Sequence, residues 1–270
     1  MRVSRFFLFV AAVVVVVAGC PAPVAGEGEG EGEGEGAVDF GFVFVASEPE
    51  LGFAQAGAVF RRALPRAFDC TETAVEGCVV LECGSTALPF DEVSAGVVDV
   101  VGALRPLSLA FDGGYAGVDI NDGSALFDGG ETLTATGAGA EVPAFSLQVT
   151  APVVVVIGTP VWPAPQDVLS VTRASGLHLQ WSGSSAGEVV VVFNTADQST
   201  EVSCAFAAAD GAADVPSAAL LALPAGDGFV DIEQRDSATV RAETWELRLQ
   251  ASTHAAGGAQ GPAIASAVFN

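Results

Sequence analysis

From residue 37 onward, apolar and polar positions mostly alternate with a period of two, not 3.6. Phe145, Leu147 and Val149 alternate with Ser146, Gln148 and Thr150. Leu177, Leu179 and Trp181 alternate with His178 and Gln180, and Trp245, Leu247 and Leu249 with Glu246, Arg248 and Gln250. Successive side chains of a strand point to opposite faces, so these segments predict strands with one buried face and one wet face. Phe40, Phe42 and Phe44 alternate too, with Val43 and Val45 filling the other side. Val153–Ile157 and Val189–Phe193 are continuous apolar runs, expected as strands buried on both faces.

Turn signals separate these runs: Asp112-Gly113-Gly114, Asp122-Gly123, Asp128-Gly129-Gly130, Gly183, Asp210-Gly211 and Asp227-Gly228. Short strands punctuated by Gly and Asp predict an all-β fold of two β-sandwich domains. Pro160, Pro163 and Pro165 suggest a boundary between residues 150 and 166. The expected domains are 38–152 and 153–270, the second of immunoglobulin or fibronectin-III size with Trp181 in its core. Helix is expected only as one turn near Ser217, capped by that residue and stopped by Pro224.

The first residues follow a different pattern. Arg2 and Arg5 precede the uncharged apolar stretch Phe6–Ala18. That is the layout of a secretory signal, and it is shorter than the roughly 20 residues of a membrane-spanning helix. The stretch ends in Val17-Ala18-Gly19-Cys20, which resembles the lipobox of bacterial lipoprotein precursors. The resemblance implies cleavage after residue 19 and a lipid on Cys20. Pro21, where an Asp commonly retains such proteins in the inner membrane, points to the outer membrane of the cell envelope. Residues 20–37 then form the lipidated Cys and a linker in which Gly and Glu alternate. Gly leaves the backbone free and the Glu side chains repel, so a disordered tether is expected, about 20–24 Å long before charge extends it. Alternating Gly offers no preorganised cage for calcium.

Composition narrows the partners. The chain carries 10 Lys plus Arg against 33 Asp plus Glu, a formal charge of −23. Such a body repels nucleic acid and anionic membrane surfaces, so attachment to a membrane is expected through the lipid alone. Apart from Cys20 there are Cys70, Cys78, Cys83 and Cys204, an even number that reads as two disulfides in an exported chain. Three lie close together and one is remote, so full pairing forces one long-range bridge to Cys204. Of the three connectivities, the one preferred here is Cys70–Cys78 with Cys83–Cys204. A zinc site on these cysteines lacks a second close pair.

Catalytic patterns are sparse. Gly183-Ser184-Ser185-Ala186-Gly187 has the spacing of a nucleophile elbow, but that device needs a following helix, and Glu188–Phe193 reads as a strand. A hairpin turn is expected there instead. His178 is expected exposed on the wet face of its strand, and His254 in a Gly-rich tail with no acid nearby in sequence. Asp119, Asn121 and Asp122 are the best calcium candidates, beside an Asx-type turn as the plainer reading, with Tyr115 capping the loop. No other cofactor is expected.

Several stretches have a wider likeness: Cys70-x7-Cys78-x4-Cys83, Val93-Ser94-Ala95-Gly96, Leu126-Phe127-x-Gly129-Gly130, Val142-Pro143-Ala144-Phe145, Leu179-x-Trp181-x-Gly183 and Leu223-Pro224-Ala225-Gly226. Through them the segment from Phe68 to Phe229 resembles uncharacterised predicted lipoproteins of myxobacteria and their relatives. The resemblance implies location and fold, and no activity. The expectation is a lipid-anchored extracytoplasmic β-sandwich protein, not an enzyme, with a structural or binding role toward a protein or polysaccharide. A lipid-anchored hydrolase with an acidic cleft is the alternative.

Overall fold

The computed structural model describes residues 39–48, 51–62, 68–87, 92–164, 166–183, 186–258 and 261–270. Cys20, the signal and the tether lie outside these residues, as do Ser184 and Ser185. The first part of the chain forms β1 (Asp39–Glu48), β2 (Phe53–Arg61), β3 (Phe68–Val75) and β4 (Cys78–Ala87). Then follow β5 (Val98–Val101), β6 (Leu107–Leu109), β7 (Val118–Ile120), β8 (Thr132–Gly137) and β9 (Phe145–Thr150). The second part forms β10 (Val156–Thr159), β11 (Leu169–Val171), β12 (Leu177–Ser182), β13 (Glu188–Thr195), β14 (Thr200–Ala207) and β15 (Ala212–Val215). After α1 (Ser217–Leu220) come β16 (Gly226–Ala242), β17 (Trp245–His254) and β18 (Ile264–Phe269).

The all-β architecture is as expected. One large sheet runs β3-β4-β14-β13-β16-β17-β1-β2-β7, with β18 beside β16 and β11 beside β18. Two smaller sheets, β6-β5-β8-β9 and β10-β12-β15, complete the strand layers. Val98, Leu133, Leu147 and Val149 enclose one core with Val43, Val45, Phe60, Leu247 and Leu249 of the large sheet. Leu179, Trp181 and Val215 enclose a second with Val80, Val191, Phe193, Val230, Ile232 and Phe269. Each core is thus sandwiched between the large sheet and one small sheet.

The split at residues 150–166 describes the small sheets but not the large one. Strand β1 pairs with β17 and β4 with β14, so both halves of the chain share one sheet. The 17-residue β16 shows why. Its Val230 and Ile232 belong to the second core, while Ala238 and Ala242 pack against the first. One strand long enough to floor both cores removes the sequential boundary.

Three local expectations change. Asp227-Gly228 is not a turn but part of β16, where Gly228 faces Thr195 of β13. A side chain there would strike the Asn194 carbonyl and the Phe269 ring, so close approach demands glycine. Val153–Ile157 is not buried on both faces, because its small sheet turns only one face to the core; Val155 and Ile157 are buried, and Val154 and Val156 are exposed. Ser217 is the first residue of α1 and caps nothing; Pro216 holds the cap position with extended backbone. Trp181 is buried as expected, and its ring N–H donates to the Ala208 carbonyl at 2.8 Å.

The disulfides are Cys70–Cys83 and Cys78–Cys204. A long-range bridge to Cys204 exists, but the preferred partners were wrong. Glu76 and Gly77, both with positive φ, form a two-residue turn that sets Val75 opposite Cys78 and therefore Cys70 opposite Cys83. Cys78 and Cys83 lie five residues apart on β4 and so face opposite ways. Cys78 turns into the second core and meets Cys204 across the β4–β14 pair.

Candidate functional site

The side chains of β16 alternate between the cores and the opposite face of the large sheet. Val230 and Ile232 point inward, so Asp231, Glu233 and Arg235 share the other face. In the antiparallel β16–β17 pair, Glu233 stands opposite His254, the last residue of β17. On the far side of β17, β1 runs parallel in a register that takes Ala46 to Ser252, and two residues further Glu48 arrives beside His254. Three adjacent strands thereby bring three carboxyls and one imidazole together.

The geometry is close. Glu48 Oε2 is 2.6 Å from His254 Nδ1, with the two side chains only 6% and 13% exposed. The backbone N–H of His254 also donates to both Glu48 oxygens, at 3.1 and 2.9 Å. On the other side of the ring, Nε2 is 3.0 Å from Asp231 Oδ2. Asp231 Oδ1 is buried and has no hydrogen-bond partner. Metal-ligating atoms of Asp231, Glu233 and His254 all lie within 4.8 Å of one another. Arg235, on the same face, places its Nε 3.6 Å from Glu188 of β13.

Electrostatics follow from this crowding. Burial works to lower the pKa of His254, but the Asp231 and Glu48 carboxylates outweigh it and hold the ring well above its ordinary value. Burial, reinforced by the negative charges of Asp231 and Glu48, pushes Glu233 up to about 7 against the pull of His254 and Arg235. The arrangement suits two kinds of chemistry: holding protons near neutrality, and ligating a cation through two carboxyls and an imidazole.

His254 was expected in a tail with no acid near it; it instead ends a strand between two carboxylates. The alternation Val230-Asp231-Ile232-Glu233 was a visible signal, but Glu48 and His254 are 206 residues apart and meet only through parallel pairing. His178 is exposed as expected, and it has an acid beside it that sequence proximity did not reveal. Its Nδ1 lies 2.7 Å from Asp214 Oδ1, the cross-strand neighbour on β15.

The calcium candidates are exposed. Asp119 lies on edge strand β7 opposite Gln55, and Asp122 accepts the Ser124 N–H at 2.9 Å in an Asx turn. The Ser124 hydrogen bonds hold the Asp122 carboxyl below its ordinary range. Tyr115 does not cap that loop: its hydroxyl accepts from Ala95 N–H at 2.7 Å and donates to the Gly96 carbonyl at 2.8 Å. The hairpin expected around Ser184 falls on residues outside those described; the flanking strands β12 and β13 lie in different sheets. A cavity of about 180 Å³ is walled by Gly130, Pro152, Gly183, Gly187, Gln234 and Asp236.

No family model and no curated protein matches the chain. Among solved structures it is similar to one described as giving structural insight into host cell surface retention of a 1.5-MDa bacterial ice-binding adhesin. The alignment covers 75% of this chain and 74% of that one, at 14% identity and a TM-score of 0.16. A likeness of that size carries no argument about fold or function.

Proposed function

We propose that this chain is a lipid-anchored extracytoplasmic protein of the cell envelope whose β-sandwich body has a structural or binding role without catalysis. The pairing of its body cysteines carries the reading. Cys70, Cys78, Cys83 and Cys204 are all joined in disulfides, which persist in oxidising compartments and are rare in the cytosol. Val17-Ala18-Gly19-Cys20 supplies the attachment. The test is expression of the full precursor in a Gram-negative host with radiolabelled palmitate. Label on the chain, outer-membrane fractionation and release of the Cys20→Ser variant into the soluble fraction are expected. An unlabelled chain, or a Cys20→Ser variant that stays on the membrane, would overturn the anchor.

The alternative, a hydrolase with an acidic cleft, is favoured by one observation: the convergence of Asp231, Glu233 and His254. Against it, carboxylate oxygens lie 2.6 and 3.0 Å from the two ring nitrogens, and the Glu48 side chain is only 6% exposed. General acid–base work requires the proton to be within reach of substrate. Hydrolysis of chromogenic ester, phosphate or glycoside substrates that disappears in Glu233→Gln would establish the alternative over the binding role.

A further inference from the structure

We propose that Asp231, Glu233 and His254 form a zinc site, with Glu48 positioning the histidine. The inference is independent of how the protein reaches the membrane.

Four observations carry it. The donor set mixes one imidazole nitrogen with carboxylate oxygens, which suits Zn²⁺ and disfavours the all-oxygen preference of Ca²⁺. The spacing is close to a coordination shell. Two ligand atoms on a tetrahedral zinc at about 2.0–2.2 Å are roughly 3.4 Å apart. His254 Nε2 and Asp231 Oδ2 are already 3.0 Å apart, and no pair in the triad exceeds 4.8 Å. Side-chain movement of at most about 1.4 Å brings the widest pair to that spacing.

The third observation is an orphan. Asp231 Oδ1 is buried beside the imidazole with no donor, and a carboxylate oxygen out of water without a partner is costly. A cation between Asp231 and Glu233 supplies what that oxygen lacks. It also offsets the negative charges of Asp231 and Glu48 that crowd Glu233, where His254 and Arg235 are the positive groups acting on it among the described residues.

The fourth is the far side of the ring. Zinc-bound histidines ordinarily set their other ring nitrogen against a carboxylate or carbonyl, which fixes the ring's orientation. Glu48 Oε2 sits 2.6 Å from Nδ1 and is itself held by the His254 backbone N–H. Nε2 is thereby aimed at Asp231 and Glu233. Three protein ligands leave a fourth position for water or for a donor from a partner.

The test is titration calorimetry with ZnCl₂ on the full chain in detergent, stripped of metal with chelator. One tight site per chain is expected above the weak background of the Glu-rich tether. Asp231→Asn with Glu233→Gln should weaken that site at least about 100-fold and leave the background unchanged. Glu48→Gln, which keeps every ligand, should weaken it about 10–100-fold. Absence of a site tighter than the background, or a site that the double variant leaves intact, overturns the proposal. Should the variants misfold, zinc-edge X-ray absorption on the unmodified protein decides. One imidazole nitrogen among oxygens at about 2.0–2.2 Å supports the site, and a shell without imidazole refutes it.

Discussion

The protein's two histidines each lie against a carboxylate, and burial separates their roles. His178 and Asp214 form a cross-strand pair with side chains 48% and 81% exposed. Water and salt screen such a pair, and it contributes about 0–1 kcal/mol. His254 meets Glu48 at a similar distance with both side chains nearly out of solvent. There the same contact becomes a point where removing one partner strands charge in the interior. A short His–carboxylate distance is therefore uninformative until its surroundings are known.

The sharpest way to break this comparison is to delete each ring. His254→Ala leaves Glu48 and Asp231 without their counter-charge and should cost about 3–5 kcal/mol. His178→Ala should cost less than about 1 kcal/mol. Urea denaturation of the two variants measures both; equal losses would show that burial does not govern the difference.

A gentler contrast removes one carboxylate charge from each pair. Glu48→Gln keeps the shape but weakens a charged acceptor of the His254 N–H, and should lose about 2 kcal/mol. Asp214→Asn should change stability by under about 0.5 kcal/mol. Hydrogen exchange at the His254 amide gives an independent reading, since its acceptor is the Glu48 carboxylate.

The smallest effect is a pH slope in chelator-treated protein. Glu233 is raised from 4.5 to about 7 in the folded chain, so the native state binds its proton more tightly than the unfolded one. Its contribution is full below about 4.5 and is lost as pH rises through about 7. His254 is also raised above its ordinary 6.5, so its contribution is full below that value and is lost as pH climbs through the raised one. Stability should fall on going from pH 5 to pH 8, and Glu233→Gln should flatten the lower part of that fall. An unchanged slope in Glu233→Gln would assign the titration to another group.

Much of the molecule was legible in its residues. Phe145, Leu147 and Val149 turn inward and Ser146, Gln148 and Thr150 outward, as their alternation predicts. The disulfide partners were not read correctly: a loop closed by Cys70–Cys78 was preferred, whereas the Glu76-Gly77 turn sets Cys70 opposite Cys83 and leaves Cys78 to Cys204. The Asp227-Gly228 turn was misread because glycine there answers a neighbouring strand and not a reversal of the chain.

The all-β class, the inward face of most strands and the need for a long-range bridge to Cys204 were determined by the sequence itself. Each rests on a simple rule: a side-chain period of two, turn chemistry, and the parity of four cysteines of which three lie close together. Which strands become neighbours was decided only in the tertiary structure. β1 lies parallel to β17, and β16 spans both cores, because packing the whole chain fixes those pairings and no local preference encodes them. The Glu48–Asp231–Glu233–His254 cluster exists only through that packing, since it draws one residue from the start of the body and three from near its end.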